Sequence, residues 1–125
     1  MKKISFIIPV YNEEENIPHL TSNILENLDL DKYDYEIIFI DDGSTDGTRK
    51  TLKNLRDKDK NIKFISFIKN FGHQIALKAG YDYATGDAII SLDGDMQHPP
   101  EKIKEFLEKW EKGAEIVHGI KQKTE

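Results

Sequence analysis

The chain has 125 residues, with 18 Lys and Arg against 23 Asp and Glu, a net charge of −5 and no cysteine. This length suits one domain or a large fragment of one. Both signs of charge are spread along the sequence without a basic block, which argues against a nucleic-acid partner. The lack of cysteine excludes disulfides and thiolate zinc sites, and it is compatible with the cytoplasm.

Five short apolar runs predict β-strands. The first follows Lys2 and Lys3 like the start of a signal peptide, but it is short and lacks a small-residue cleavage site, so we interpret it as a strand. The runs are rich in β-branched residues and do not alternate with polar ones, which is typical of strands covered on both faces of a parallel sheet. They span residues 4–10, 37–40, 62–68, 88–92 and 114–117.

Apolar residues spaced three and four apart predict four helices between these strands. We expect Asn16 to cap the first helix, and Ser44 or Thr45 to cap the second. The third is expected over residues 73–83, with a stripe of small residues for close packing on the sheet, and the fourth is expected to end at Gly113.

The order βαβαβαβαβ predicts an α/β fold: a doubly wound, mostly parallel open sheet with helices on both faces. No apolar run approaches the ~20 residues that would span a bilayer. Because the sequence stops just after the fifth strand without a closing helix, we expect residues 1–125 to be part of a larger domain that has been cut.

Acidic and polar residues follow four of the predicted strands, in segments 9–13, 41–48, 69–74 and 93–100. In an open parallel sheet, ligands bind outside the carboxyl ends of the strands. We therefore expect a site at that edge.

The segment after the fourth strand offers a candidate metal site. Asp93 and Asp95 project to the same side of an extended chain, and Gly94 leaves room for a ligand. A hard divalent cation would relieve the repulsion of the two carboxylates and could bridge a diphosphate, with Gln97 as a further oxygen ligand. An ordinary polar turn, rich in Asp and Gly, is the competing interpretation.

The other segments also leave two interpretations open. Asp41 and Asp42 precede Gly-Ser-Thr, which is good turn and cap chemistry, but one Asp suffices for that. The second could accept a hydrogen bond from a base N–H or a ribose hydroxyl. Tyr11 is either core packing or a platform for a base, and Glu13, directly after the Pro-Val-Tyr-Asn turn, could face the crevice.

Four other classes of protein are excluded, either by the positions of the acidic residues or because a required motif is absent. A phosphoreceiver domain carries its acidic pair after the first strand, whereas the pairs here follow the second and fourth. A dinucleotide-binding fold requires glycines after the first strand, where this sequence has Pro-Val-Tyr-Asn. A P-loop and a nucleophile elbow are both absent from the sequence.

Four motifs in order resemble the family 2 inverting glycosyltransferases of the GT-A fold, and more narrowly the dolichol- and polyprenyl-phosphate sugar transferases. They are IIPVYNEEENI, EIIFIDDGSTDGT, KNFGHQIALKAGYDYATGD and LDGDMQHPPEKI. The resemblance implies a Rossmann-like nucleotide-binding half, a UDP- or GDP-linked sugar donor, Mg²⁺ or Mn²⁺, and a lipid-phosphate acceptor. It also implies a cytoplasmic domain, at the cytoplasmic face of a membrane in the full-length protein.

The resemblance assigns residues to a nucleotide-sugar site. Most would contact the base, the ribose or the diphosphate: Pro9, Tyr11, Glu13, Asp41, Asp42, Asp93, Gly94, Asp95 and Lys121. Among these, Asp93 and Asp95 form the D-x-D motif and would also bind the metal, together with Gln97. Lys121 stands where relatives commonly have Arg, so it keeps the charge but loses the bidentate fork.

The resemblance also places the acceptor site and any catalytic base beyond residue 125, so no catalytic residue is assigned here. The alternative function is a non-catalytic module that binds a nucleotide or a nucleotide sugar. A cut domain would expose apolar surface, from which we expect self-association.

Overall fold

Strands and helices alternate along the chain in the computed structural model, which describes residues 1–92, 102–113, 116–117 and 120–122. The strands are β1 (Lys2–Val10), β2 (Tyr33–Asp41), β3 (Ile62–Ser66), β4 (Ala88–Ser91), β5 (Ile116–Val117) and β6 (Ile120–Gln122). The helices are α1 (Asn16–Glu26), α2 (Thr48–Lys58), α3 (His73–Tyr83) and α4 (Lys102–Glu111). None of the helices in these residues is long and apolar enough to cross a membrane.

The strands form one sheet in the order β3-β2-β1-β4-β6-β5. β1 pairs in parallel with β2 and β4, and β2 pairs in parallel with β3, whereas β6 is antiparallel to β4 and β5. The predicted doubly wound, mostly parallel sheet is therefore confirmed. Its order turns back between β1 and β4, and this switch point is where ligands bind in such sheets.

Helices cover both faces of the sheet, as predicted. α1, α2 and α4 pack on the face that carries Ile4, Phe6 and Ile8 of β1. α3 packs on the opposite face, where Ile7, Ile38 and Ile40 lie. Burial on both sides explains why the strands read as continuous apolar runs, and each such side chain contributes roughly 1.5–3 kcal/mol of hydrophobic stabilisation.

The small residues of α3 allow the close packing that the sequence predicts. A Cβ atom on Gly80 would lie 2.7 Å from Ile40 Cδ1 and 3.1 Å from Ile7 Cβ, so the helix backbone nearly touches the sheet. Ala76 is fully buried one turn earlier. The predicted range of this helix, residues 73–83, is also observed.

The end of the sheet differs from the prediction. The fifth strand is β5 (Ile116–Val117), and an additional strand, β6, lies between it and β4 in the sheet. Lys121 follows β5 in the chain and lies within β6, opposite Ile89 of β4 and Ile116 of β5. A strand of three residues that pairs antiparallel carries too short a pattern to be read from sequence.

The predicted helix caps are wrong. α1 begins at Asn16 itself, after Glu15, and α2 begins at Thr48, after Gly47; neither has a side-chain cap bond. Ser44 and Thr45 do not cap α2 because they bond to Asn12 of the preceding loop.

Candidate functional site

The carboxyl ends of β1 to β4 lie along one side of the sheet, here called the carboxyl edge. β1 and β4 are neighbours at the switch point, and Leu92 N donates a 3.1 Å hydrogen bond to Ile7 O just beyond the paired residues. The loops that follow β1 and β4 therefore flank the crevice where an open α/β sheet binds its ligands.

Pro9 is buried in β1 without breaking the sheet. Ile7 O accepts from Leu92 N and Val10 O accepts from Asp42 N, so the backbone of Pro9, by alternation, is directed toward the β4 side. The ladder between β1 and β4 ends at Ile7, so a residue without an N–H loses no ladder bond at this position. A role of Pro9 in nucleotide binding stays a prediction.

Tyr11 and Asn12 follow β1: Tyr11 exposes its ring, and Asn12 bonds to the loop after β2. Tyr11 is 45% exposed, so the core-packing interpretation is wrong and its ring is accessible to a ligand. Asn12 adopts a positive φ of 53°, which asparagine tolerates better than most residues. Asn12 N donates to Ser44 Oγ at 2.9 Å, and its Oδ1 accepts from Thr45 N at 2.8 Å. Asn12 therefore joins the loops after β1 and β2, a role that the sequence analysis missed.

Glu13 lies half-buried where α1 begins. Its Oε2 accepts from Asn16 Nδ2 at 2.7 Å, and its N–H donates to Thr48 Oγ1 at 3.1 Å. A cavity of about 280 Å³ opens beside it, and four of its six lining residues are acidic: Asn12, Glu13, Glu14, Glu15, Asn16 and Asp46. Such a lining suits hydroxyl and N–H donors better than phosphate.

Asp46 completes this loop. Its Oδ1 accepts from Thr48 N at 2.9 Å and from Thr48 Oγ1 at 2.5 Å. Desolvation raises the pKa of Asp46, but the bonds from Thr48 outweigh it, and the pKa is lowered from its usual value. The carboxylate therefore stays ionised and keeps the start of α2 in place.

Asp41 and Asp42 are both buried, and the structure gives them different partners. Asp41 Oδ1 accepts from Ser44 N at 2.9 Å, which is the predicted turn, and its Oδ2 lies 3.4 Å from Ser66 Oγ. Asp42 Oδ1 accepts from Phe71 N at 2.8 Å and its Oδ2 from Gly72 N at 3.1 Å. The second Asp therefore holds the loop between β3 and α3. A carboxylate accepts about four hydrogen bonds, so both retain capacity for a ligand.

Gly43, in the turn after β2, lies in close contact with the loop between β3 and α3. Its φ is +78°, and an added Cβ would clash with the carbonyl carbon of Lys69 and lie 2.5 Å from Asn70 N. Glycine is therefore required by both conformation and space. Beyond it, Phe67 and Phe71 form an edge-to-face pair with ring centroids 5.5 Å apart, and Ile68 is 95% exposed.

The predicted metal ligands cannot be placed, since Asp93, Gly94, Asp95 and Gln97 lie outside the described residues. Lys121 is placed by its backbone alone, in the strand next to β4. Within residues 1–92 and 102–113, no group of three or more His, Asp or Glu side chains is arranged to hold a metal ion.

A larger cavity, of about 600 Å³, lies away from the carboxyl edge. It opens between the ends of α1 and α4 near Tyr33, where β2 begins, and Tyr33 donates a 3.0 Å hydrogen bond to Glu111. Burial, followed by this bond, raises the pKa of Tyr33 to about 12. None of the predicted site residues whose side chains the structure describes lines this cavity, so we place the candidate site in the smaller, polar region at the carboxyl edge.

Known proteins resemble this chain in sequence or in fold. The prophage bactoprenol glucosyl transferase homolog of Escherichia coli (strain K12) is 47% identical over 115 residues, which cover 92% of this chain and 38% of that protein. The structure of S. aureus TarS 1–349 in complex with UDP-GlcNAc has a TM-score of 0.73 and 25% identity, over 88% of this chain and 31% of that one. The mannosyltransferase PcManGT from Pyrobaculum calidifontis, in complex with GDP-Man and Mn²⁺, has a TM-score of 0.75 and 24% identity, over 92% and 34%.

These structural relatives confirm the expected GT-A fold. The chain spans about 38% of the length of the curated relatives that it matches. Residues 5–124 match the family model of Glycosyl transferase family 2. Because that match takes in nearly the whole sequence, the chain belongs to glycosyl transferase family 2.

Proposed function

We propose that this chain binds the sugar donor of a metal-assisted glycosyltransferase, which moves a sugar from a nucleoside diphosphate to a polyprenyl or dolichyl phosphate. One observation supports this most. The loops after β1, β2 and β3 are joined at the carboxyl edge, beside the β1–β4 switch point. Asn12 donates to Ser44 and accepts from Thr45, and the Asp42 carboxylate accepts from Phe71 N and Gly72 N. Membership in glycosyl transferase family 2 supports sugar transfer as the reaction that this edge serves.

The base and ribose subsite is proposed between the loops after β1 and β2. The exposed ring of Tyr11 supplies a stacking surface, and the carboxylates of Glu13, Asp41 and Asp42 accept from base N–H groups and ribose hydroxyls. Pro9 holds the end of β1 beside them. TarS, a relative at 25% identity, is described in complex with UDP-GlcNAc, which supports a UDP- or GDP-linked donor here.

The diphosphate and its cation are proposed to lie at the start of the segment after Leu92. Asp93, Asp95 and Gln97 offer oxygen ligands only, a set that fits Mg²⁺ or Mn²⁺ and does not fit a softer metal. When bound, the cation neutralises the charge that develops on the departing nucleoside diphosphate. Gly94 leaves the backbone space to approach the diphosphate, and Lys121, on the strand beside β4, adds a positive charge.

The acceptor is proposed to be a lipid phosphate. The E. coli relative is named for bactoprenol, and a phosphate acceptor is already anionic, so it requires no strong general base to attack the sugar. Such an acceptor would bring the enzyme to the cytoplasmic face of a membrane. The acceptor site and membrane contacts would lie in parts of a longer chain. The proposed self-association would instead use the apolar surface that this chain exposes where those parts would pack.

Calorimetric titration with UDP-glucose and GDP-mannose, with and without Mn²⁺, tests the donor site. We expect Asp93→Asn and Asp95→Asn to weaken Mn²⁺-dependent binding by at least roughly tenfold, as is typical when metal sites are perturbed. Asp34→Asn is the matched control, because it removes the same charge from an exposed position where β2 begins. Unchanged metal-dependent binding in both Asp93→Asn and Asp95→Asn would overturn the metal assignment.

A binding module without transfer is the second candidate, favoured by the observation that the chain spans about 38% of its relatives' length. An assay with a labelled donor and a polyprenyl phosphate separates the two. Sugar–lipid product supports the transferase. Metal-dependent donor binding without product, at donor concentrations that saturate the site, supports the module.

A further inference from the structure

Glu36 is a buried charge at the end of the sheet opposite the proposed site. It lies in β2 and is 1% exposed. Its carboxylate accepts four hydrogen bonds: from Ser5 Oγ at 2.5 Å, Lys63 Nζ at 2.8 Å, Thr85 N at 2.6 Å and Thr85 Oγ1 at 3.0 Å. We call Glu36 with Ser5, Lys63 and Thr85 the Glu36 network. A carboxylate accepts about four hydrogen bonds, and donors of the protein itself already supply four. Glu36 is therefore not available to bind a ligand.

The Glu36 network holds the turn that precedes β4, through bonds to Thr85 and Gly86. Ser5 Oγ, besides donating to Glu36, accepts from Gly86 N at 2.8 Å. An added Cβ on Gly86 would lie 2.5 Å from Ser5 Oγ, so the turn is packed tightly against β1. Lys3 N donates to Asp87 Oδ2 at 2.8 Å, and Asp87 N donates to Lys3 O at 2.7 Å. These contacts hold the turn immediately before Ala88, where β4 begins.

The hydrophobic pattern of β4 does not fix its own register. β4 has four residues, and Ala88, Ile89 and Ile90 are apolar on both faces of the sheet. A slip by one residue moves every side chain of a strand to the other face. In β4 such a slip would exchange one buried apolar face for another, so the pattern opposes it less than in a strand with one polar face. The observed pairing of Ile4 with Ala88 therefore depends on something outside the strand. The hydrogen bonds to the preceding turn supply it.

We infer that Glu36 is a positioning residue, which sets the register of β4 and thereby the position of Leu92, the residue that immediately precedes the D-x-D motif in the sequence. The Glu36 network fixes the turn at the start of β4, and at its other end the strand is followed by Leu92, whose N–H bonds to Ile7 O. A shift of one residue would move Leu92 by about 3.3 Å along β1 and exchange the two faces of β4. The part of this inference that concerns the metal rests on the proposed function.

Amide hydrogen exchange in the free protein tests the positioning role without any ligand. In Glu36→Gln, we expect exchange at Leu92 to rise at least about tenfold relative to Asp42, whose N–H bonds to Val10 between β1 and β2. Lys63→Met is the matched control: it removes the ion pair but leaves the bonds to Ser5 and Thr85, with Lys3 Nζ still 3.7 Å from Glu36. Equal increases at Leu92 and Asp42 in Glu36→Gln would overturn the inference, since they would indicate loss of stability alone.

Nucleotide binding tests the consequence. We expect Glu36→Gln to reduce the gain in UDP or GDP affinity that Mn²⁺ gives to the unaltered chain by about tenfold or more, and to leave the affinity without Mn²⁺ unchanged. Lys63→Met should keep the gain. If Glu36→Gln does not fold, Ser5→Ala, which removes the bond to Gly86 and leaves Glu36 in place, should show the same two effects.

The two proposals fail in different ways. An unaltered chain whose UDP and GDP affinities do not depend on Mn²⁺ would contradict the proposed function, while the exchange experiment would still decide the role of Glu36. An unaltered chain with a clear Mn²⁺ gain that Glu36→Gln retains in full would refute the positioning role alone.

Discussion

Asp42 anchors the loop between β3 and α3, and replacing it by Asn should destabilise the protein. The carboxylate is 5% exposed and accepts from two backbone N–H groups, Phe71 N at 2.8 Å and Gly72 N at 3.1 Å. An Asn side chain has only one acceptor oxygen, and its NH₂ group would face a second donor. One N–H therefore loses its partner in a partly buried position, and the other bonds to a neutral acceptor.

The magnitude follows from these two bonds. A hydrogen bond to a charged group contributes about 1.5–3 kcal/mol, and a buried unpaired donor costs about 1–3 kcal/mol. We expect Asp42→Asn to lower the free energy of unfolding by about 2–3 kcal/mol, out of a total of roughly 5–15 kcal/mol for a domain. Urea unfolding followed by circular dichroism measures this difference, with an expected fall of about 1–2 M in the midpoint.

Asp41→Asn is the matched control, since the neighbouring carboxylate is equally buried. Its Oδ1 bond to Ser44 N can be kept by the Asn oxygen, and the new NH₂ group can donate to Ser66 Oγ. We expect a loss below about 1 kcal/mol. Equal losses in the two variants, or a loss below about 0.5 kcal/mol in Asp42→Asn, would refute the distinction between a turn residue and a loop anchor.

Three further predictions each concern a single residue. Burial raises the pKa of Glu36, but hydrogen bonds from Lys63, Ser5 and Thr85 outweigh it and lower the pKa from 4.5 to about 2; the stabilisation is present above about pH 4.5 and is lost as the pH falls toward 2. The shift corresponds to about 3 kcal/mol, or about 2 kcal/mol after allowing for the 37% exposure of Lys63. Urea unfolding at pH 5.5 and pH 2.5 should show most of this loss as the difference between the unaltered chain and Glu36→Gln, because Asp46, whose pKa is also lowered, titrates in both. Gly43→Ala should lower the melting temperature by roughly 5 °C or more, because of its positive φ and the clash with Lys69; a calorimetric change below about 2 °C would contradict this. Tyr11→Ala should change stability by less than about 0.5 kcal/mol, whereas nucleotide affinity should fall at least roughly fivefold if the ring stacks on a base; equal affinities in a titration would count against that stacking.

The general fold could be predicted from the sequence because its signals are local. Strands buried on both faces appear as continuous apolar runs in β1 and β2, and the small residues Ala76 and Gly80 predict the close packing of α3. The helix caps could not be predicted in the same way. The groups expected to cap α2 bond instead to Asn12, more than thirty residues earlier in the chain.

The sequence predicts the region of the candidate site, but it does not predict which structural contacts the residues there make. Asp41 and Asp42 are identical and adjacent in sequence, and only the loop at Phe71 and Gly72 distinguishes them. Glu36 gave no sequence signal, since its partners lie on β1, β3 and the turn before β4. Contacts between distant segments decide these roles, and a single sequence does not encode them in any local pattern.

Paramagnetic broadening of backbone amide signals by Mn²⁺, measured with UDP or GDP present, tests most directly whether nucleotide and metal bind at the carboxyl edge. We predict that the amides of Asn12, Gly43 and Leu92, which lie at that edge, broaden first as Mn²⁺ is added. The amides of Asp31 and Thr85, at the opposite end of the sheet, should be the last to change. Broadening that begins instead at the cavity between α1 and α4, or that is uniform along the chain, would contradict the assignment of the site.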